Sequence, residues 1–258
     1  VLTYQHDGIA RGTGSLVLLG DDTHEAMVSA DAATLYSFNK GSSAQGYPIS
    51  IMGSVALLRQ TYLDASWYAA QSPKPFTDLS LDGWIDSQSG PQIFRVTGWQ
   101  DIERAKRIAD EVEVDYIYRA GGNEYQRLAV VEGQSLIVPL SFPEAPSVDD
   151  PYDARNVSLA EMKHWELAPS NPAMLVDAGA SVAITARDAE KGFFDNLRKA
   201  IDRGLSKQDA LRALTETPAT MLGASDHLGS LKSGRVANIV VVEGELFDED
   251  ARVLDTYV

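Results

Sequence analysis

The chain has 258 residues, of which 44% are hydrophobic and 23% are charged, a balance typical of a globular protein with one large domain or two small ones. Its formal net charge of −15 disfavours nucleic acid and anionic membranes as partners, and no apolar run reaches the ~20 residues of a membrane helix. The absence of cysteine excludes disulfides, thiolate metal sites and cysteine nucleophiles.

The first part of the sequence predicts two short strands and one long helix. The apolar runs VLTYQ and SLVLL are typical of strands, and the glycine-rich segment HDGIARGTG between them predicts a loop. From Pro48 to Gln71, apolar residues recur at helical spacing, which predicts an amphipathic helix. Because the chain opens like the middle of a strand, we expect the parent protein to extend before Val1.

Strands and helices then alternate along the chain. The predicted strands are PQIFRVTG, DYIYRAGG, SLIVPLSF and SVAIT, and the predicted helices are DIERAKRIADEV, NEYQRLAVVEG, residues 158–178, GFFDNLRKAIDRGL and SKQDALRALTETPATMLG. The segment PEAPSVDDPYDARN predicts a polar loop. This alternation favours a mostly parallel α/β sheet, of the (β/α)8 TIM-type barrel class without its first strand or strands. An open doubly wound sheet is the alternative, but no glycine-rich nucleotide motif supports it.

The carboxyl-terminal segment follows a different pattern. LGSLKSGRVANIVVVEGELF has glycine-containing turns around an alternating, β-branched run, which predicts a β-hairpin instead of another strand–helix unit. The sequence therefore predicts a barrel part over residues 1–225 and a small β part over residues 226–258.

Four stretches resemble the amidohydrolase superfamily, and within it the imidazolonepropionase-like or prolidase-like metal-dependent hydrolases. They are DGIARGTGSLVLL, FRVTGWQDIERAKRIADEVEVDYIYRAGGNEY, HWELAPSNPAML and GLSKQDALRALTETPATMLGASDHLGSLKSGRVANIVVVEG. The last resembles the family's closing pattern, a helix and Thr-x-x-Pro-Ala, then Leu-Gly-Ser-Leu-x-x-Gly-x-x-Ala-Asn. The resemblance implies a (β/α)8 barrel with a composite β-sandwich, of which residues 226–258 would be the carboxyl-terminal half.

The resemblance also implies an activity and a metal site. The family hydrolyses C–N bonds of cyclic amides or dipeptides, not ordinary peptide bonds, with a water activated by Zn²⁺ or other divalent metals. Its implied ligands are a His-x-His pair on strand 1, which would precede Val1, and single residues on strands 5, 6 and 8. These three positions fall at Arg95, at Gly121, and at Arg187 or Asp188.

The residues at the expected ligand positions predict a degenerate site. Arg95 and Arg187 cannot ligate a metal, because a guanidinium has no lone pair to offer, and Gly121 has no side chain. We therefore expect no cofactor in this domain. The barrel mouth is predicted to contain His6, Arg95, Arg119, Gly121, Asn123, Glu124, Arg187 and Asp188.

Two interpretations of the barrel mouth remain open. The favoured one is a charge network in which Arg95 or Arg187 pairs with Asp188 or Glu124. The alternative is a pocket in which arginine side chains bind a small carboxylate. Of the histidines, His6 is expected to make a structural hydrogen bond, and His164 to anchor a loop over Trp165.

The sequence thus predicts an amidohydrolase-like domain with a structural or partner role. The expected partner is a catalytic amidohydrolase domain of the same parent chain, and homo-oligomers are left open. One alternative is an active hydrolase with ligands upstream of Val1, for which Asp188 is the candidate catalytic carboxylate; the other is a carboxylate-binding module. The HWELAPSNPAML stretch resembles that of exported relatives, which favours export or a periplasmic location.

Overall fold

The computed structural model describes residues 1–20, 26–187 and 192–258, and the chain forms two compact units. The first unit comprises Val1–Val96 and Gln100–Tyr118, and the second comprises Thr97–Trp99 and Arg119–Val258. None of the described helices is both long enough and apolar enough to cross a membrane. The boundary between residues 225 and 226 stays a prediction.

The strands and helices follow one another in mixed order. The strands are β1 (Leu2–Thr3), β2 (Ala10–Val17), β3 (Met27–Ser37), β4 (Gln92–Arg95), β5 (Tyr116–Arg119), β6 (Ser135–Pro139), β7 (Ser181–Thr185), β8 (Ile239–Glu243) and β9 (Arg252–Tyr257). The α-helices are α1 (Ile51–Ala69), α2 (Leu79–Ser87), α3 (Trp99–Val112), α4 (Pro151–Ala154), α5 (Leu159–Leu167), α6 (Asn171–Asp177), α7 (Phe193–Asp202), α8 (Lys207–Leu214) and α9 (Glu216–Met221). Short 3-10 helices cover Glu124–Val130 and Ala168–Ser170.

The sheet of the first unit changes from antiparallel to parallel pairing. Its strands lie in the order β1-β2-β3-β4-β5. β1, β2 and β3 pair antiparallel, whereas β3 and β4 are parallel, with Leu35 beside Ile93. A parallel pair needs a crossover connection, and α1 and α2 supply it between β3 and β4.

The prediction of a loop over HDGIARGTG is correct for residues 6–9 and wrong for residues 10–14. Strand β2 begins at Ala10 and passes through Gly12 and Gly14. Gly12 adopts a φ of 73° next to a register shift in the β2–β3 pair, which is the conformation of a β-bulge. A Cβ at Gly14 would lie 2.8 Å from the carbonyl oxygen of Thr3, so this glycine lets β1 and β2 approach closely. The glycines here permit strand pairing and do not end the strand.

Helix α1 confirms the predicted amphipathic helix. Ser50 caps its first turn, because the Ser50 side chain accepts a hydrogen bond from the N–H of Gly53. The buried residues recur every three or four positions and are Ser54, Leu58, Tyr62, Ala65 and Tyr68. One face of the helix therefore packs against the core of the first unit.

A cluster of tyrosines lies in that core. The hydroxyls of Tyr62 and Tyr116 are 2.8 Å apart, and the hydroxyl of Tyr36 donates to Gln92 at 2.7 Å. Burial is the main cause that raises the pKa of Tyr36, Tyr62 and Tyr116 well above the ordinary value. The folded protein therefore keeps these phenols neutral at alkaline pH.

We expect the protein to lose stability steeply above pH 10. In the unfolded chain each phenol ionises near roughly pH 10, so each buried tyrosine stabilises the fold fully below that pH and by about 1.4 kcal/mol less per pH unit above it. Tyr62→Phe removes one such phenol and should make this decline shallower by that amount. Urea unfolding between pH 9 and 12 measures it, with Tyr152→Phe, at a 77% exposed position, as the unaffected control. Equal slopes for Tyr62→Phe and wild type would contradict the assignment.

The second unit contains parallel strands covered by helices and a separate β-hairpin. β6 and β7 are parallel, with Ile137 beside Ala183, and α7 and α8 pack with them around buried Leu140 and Leu197. β8 and β9 form a two-stranded antiparallel sheet, which confirms a β-hairpin in the carboxyl-terminal part, although its second strand lies beyond the stretch that predicted it. The predicted polar loop PEAPSVDDPYDARN is interrupted by the short helix α4, which Asp150 caps by accepting from the N–H of Tyr152. The chain therefore has the α/β class that its sequence predicts.

Candidate functional site

The loop that follows β5 holds a fully buried carboxylate. Glu124 has no exposed surface, and its side chain turns back onto the loop that precedes it. The N–H of Gly121 donates to Oε1 of Glu124 at 2.7 Å, and the N–H of Gly122 donates to Oε2 at 3.1 Å. Oε2 also accepts from the amide Nδ2 of Asn171 at 3.0 Å. A buried carboxylate is tolerated when donors surround it in this way.

Asn171, the first residue of α6, connects this loop to that helix. It is only 1% exposed, and its Oδ1 accepts from the N–H of Tyr125 at 2.8 Å while its Nδ2 donates to Glu124. Both ends of one amide are thus engaged by adjacent residues of the β5 loop. Sequence reasoning missed Asn171, although it lies inside the HWELAPSNPAML stretch, because the family resemblance marked the segment and not the residue.

Gly121 has no room for a side chain. A Cβ built there would lie 2.2 Å from the carbonyl oxygen of Thr97 and 3.0 Å from the N–H nitrogen of Gly98. The same backbone segment makes a second contact with this loop, since the N–H of Trp99 donates to Oδ1 of Asn123 at 3.3 Å. The backbone segment 97–99 is therefore packed against the position at which the family resemblance implies a histidine.

Tyr125 and His164 form a second contact between the β5 loop and a helix. The Tyr125 hydroxyl lies 3.0 Å from Nδ1 of His164, and the two rings are stacked with centroids 6.0 Å apart. This contact confirms that His164 anchors a loop. Trp165 is 38% exposed at the surface of α5, and its predicted packing beneath His164 stays a prediction.

The predicted arginines occupy different environments. Arg119, the last residue of β5, is only 5% exposed, whereas Arg95 at the end of β4 and Arg187 after β7 are both exposed. The backbone N–H of Arg187 donates to the hydroxyl of Thr185 at 3.2 Å. The predicted charge network would pair Glu124 with Arg95 or Arg187. The hydrogen bonds to Glu124 come instead from backbone N–H groups and from a side-chain amide.

The other predicted residues divide between the two units. Asn123 and Glu124 lie together with Gly121 in the second unit. His6 belongs to the first unit, is exposed and lies edge-on to the ring of Tyr4 at 4.4 Å between centroids. Asp188, the candidate catalytic carboxylate, lies outside the described residues, and its predicted pairing stays a prediction.

The described residues do not fit the family's metal ligands. Across residues 1–20, 26–187 and 192–258, no three His, Cys, Asp or Glu side chains are grouped so that they could hold a metal ion. Glu124, the most buried acidic side chain of the β5 loop, already accepts hydrogen bonds from two backbone N–H groups and from the Asn171 amide. This network can hold the loop in one conformation. The N–H groups of Gly121 and Gly122 already donate to Glu124, so they are not available to bind a ligand.

Comparison with known proteins gives the fold of the chain and a family match for its carboxyl-terminal third. The model of the amidohydrolase family matches residues 178–258. The crystal structure of an amidohydrolase from Thermotoga maritima MSB8 is similar with a TM-score of 0.75 and 22% identity, and the match covers 96% of this chain and 67% of that one. No curated protein sequence matches the chain.

Two further solved structures are similar over a smaller part. One is a prolidase complexed with N-methylphosphonate-L-proline, with a TM-score of 0.49, 16% identity, and coverage of 68% of this chain and 46% of that one. The other is a Xaa-Pro dipeptidase with bound methionine in the active site, with a TM-score of 0.47, 18% identity, and coverage of 66% and 44%. The chain thus spans less than half the length of either protein. It has the fold of part of an amidohydrolase barrel, and its residues 178–258 carry the amidohydrolase-family sequence pattern.

Proposed function

We propose that this chain is a non-catalytic amidohydrolase-like domain with a structural role, which partners a catalytic amidohydrolase domain of the same parent protein. The observation that supports the proposal most directly is the contact between Gly121 and Thr97. A histidine at position 121 would need the backbone of residues 97–98 to move, because even a Cβ would lie 2.2 Å from the Thr97 oxygen. The main chain of residues 97–98 occupies the space that the side chain of a strand 6 ligand would need.

The network around Glu124 supports the same proposal. A carboxylate that accepts two backbone N–H groups and a buried amide is engaged on both oxygens, and moving it to a metal would leave those donors unpaired. A network of this kind stabilises the loop in one conformation. The family's chemistry needs a metal set that the described residues do not supply, so we assign catalysis to a different domain of the parent protein.

Metal content of the purified chain tests this proposal. After equilibration with Zn²⁺ and gel filtration, elemental analysis should find far less than one equivalent of zinc per chain. Asp226→Asn, at an exposed acidic position, controls for loose binding to the acidic surface. One tightly held equivalent that Asp188→Asn removes and Asp226→Asn does not would overturn the proposal and favour an active hydrolase that uses Asp188.

A further inference from the structure

Helix α1 has an apolar stripe on the side opposite its buried face. Met52, Leu63 and Trp67 are 81%, 64% and 52% exposed, and Ala56 between them is exposed as well. At 3.6 residues per turn these four positions fall within an arc of about 60°, and the buried positions of α1 point the other way. We call Met52, Ala56, Leu63 and Trp67 the outer stripe.

The outer stripe is unusual for a surface helix. The outward face of such a helix is normally polar or charged, and a helix that is apolar on both sides is normally covered on both. In a chain with 23% charged residues and a net charge of −15, α1 contains only two charged residues, Arg59 and Asp64. Phe76, 52% exposed, extends the stripe, since its ring centroid lies 6.5 Å from that of Trp67. The stripe therefore has the character of an interface.

We propose that the outer stripe packs against the outer stripe of a second copy of this chain, in an antiparallel two-fold dimer. With the axis between Arg59 and Gln60, Met52 would face Trp67 of the second copy, because both lie equally far from the axis. Ala56 would face Leu63 of the second copy for the same reason. A two-fold interface requires such reciprocal pairs, and the stripe pairs a small residue with a large one and a thioether with an indole.

The charged residue beside the axis is already paired within its own copy. Arg59 and Glu111 form a two-bonded ion pair whose side chains are 40% and 49% exposed. A two-fold rotation that reverses the helix direction leaves this flank on the same side of the dimer. The two Arg59 side chains then lie near each other beside the axis, and because each is already paired with Glu111 of its own copy, their mutual repulsion is reduced.

The exposed apolar area suits a weak dimer. Trp67 and Phe76 each expose on the order of 100 Å² of ring. With Met52 and Leu63, and with the neighbouring Ile49 at 84% exposure, two copies would bury on the order of 1,000 Å², the lower limit for a specific interface. We therefore expect dissociation in the micromolar range. The inference goes beyond the proposed function, since it does not depend on the β5 loop.

Sedimentation equilibrium of the chain tests the dimer. The average mass should rise from the 28.0 kDa monomer towards twice that value as the concentration increases through the micromolar range. Leu63→Glu should shift this rise at least tenfold in concentration without a change in the thermal unfolding of the monomer. Leu159→Glu, which alters a similarly exposed leucine (68%) on α5, should leave it unchanged. A monomer at every concentration, or an equal effect of both substitutions, would overturn the proposal.

Disulfide cross-linking tests the antiparallel geometry, because the chain has no cysteine of its own. Gln60→Cys places two thiols beside the axis and should form a linked dimer under mild oxidation. Met52→Cys should not, since its two copies would lie about 22 Å apart along the helices, beyond the reach of a disulfide. Linking of Met52→Cys as readily as Gln60→Cys would overturn the antiparallel arrangement.

Discussion

Glu124→Ala should destabilise the protein by about 4 kcal/mol, because the substitution leaves three buried or half-buried donors unpaired at roughly 1–3 kcal/mol each. These donors are the N–H groups of Gly121 and Gly122 and the Nδ2 of Asn171. Such a loss is a large part of the stability of an ordinary domain. Urea unfolding at neutral pH measures it.

The matched control is Glu132→Ala, which removes an exposed glutamate from the same connection between β5 and β6. A surface substitution of this kind should change stability by less than about 0.5 kcal/mol. Asn171→Ala, alone and combined with Glu124→Ala, isolates the contribution of the contact between the two side chains. The stability losses of the two single variants should sum to more than the loss of the double variant. Equal effects of Glu124→Ala and Glu132→Ala would show that the network does not stabilise the loop.

Gly121→Ala should cost at least about 3 kcal/mol, although the substitution adds a single methyl group. That methyl would lie 2.2 Å from the Thr97 oxygen, so the main chain of residues 97–98 must shift. Gly121→His, which would restore the residue that the family resemblance implies, should be more damaging still and should not create zinc binding. Urea unfolding and circular dichroism of the variants measure both effects.

Gly83→Ala serves as the control for Gly121→Ala. Gly83 lies inside α2 in open space, where an added Cβ meets no atom within 4 Å. The helix propensity of alanine should therefore stabilise the protein by about 0.5–1 kcal/mol, the opposite sign. If Gly121→Ala were as harmless as Gly83→Ala, the backbone of residues 97–98 would be adaptable and the main support for a non-catalytic domain would be lost.

Local spacing in the sequence was sufficient to predict α1, α3 and the strands β4 to β7. Their apolar residues recur at the helical or buried-strand period, and this pattern does not depend on distant parts of the chain. The predicted loop over HDGIARGTG failed at residues 10–14 for the complementary reason. Glycine is compatible with both a loop and a bulged strand, so its presence does not decide between them. The pairing of β2 with β1 and β3 determines that this part of the segment is a strand.

The residue types at the implied ligand positions were also readable from the sequence. Arg95 and Gly121 exclude metal ligation by their chemistry alone, wherever the fold places them. The sequence could not show which parts of the chain surround Gly121. The hydrogen bond from Asn171 to Glu124 spans 47 positions of the chain, and the contact of Gly121 with Thr97 joins two different loops. The residue type at one position is a property of the sequence, whereas the packing around Gly121 and the network around Glu124 depend on which backbone segments meet, and only the tertiary structure decides that.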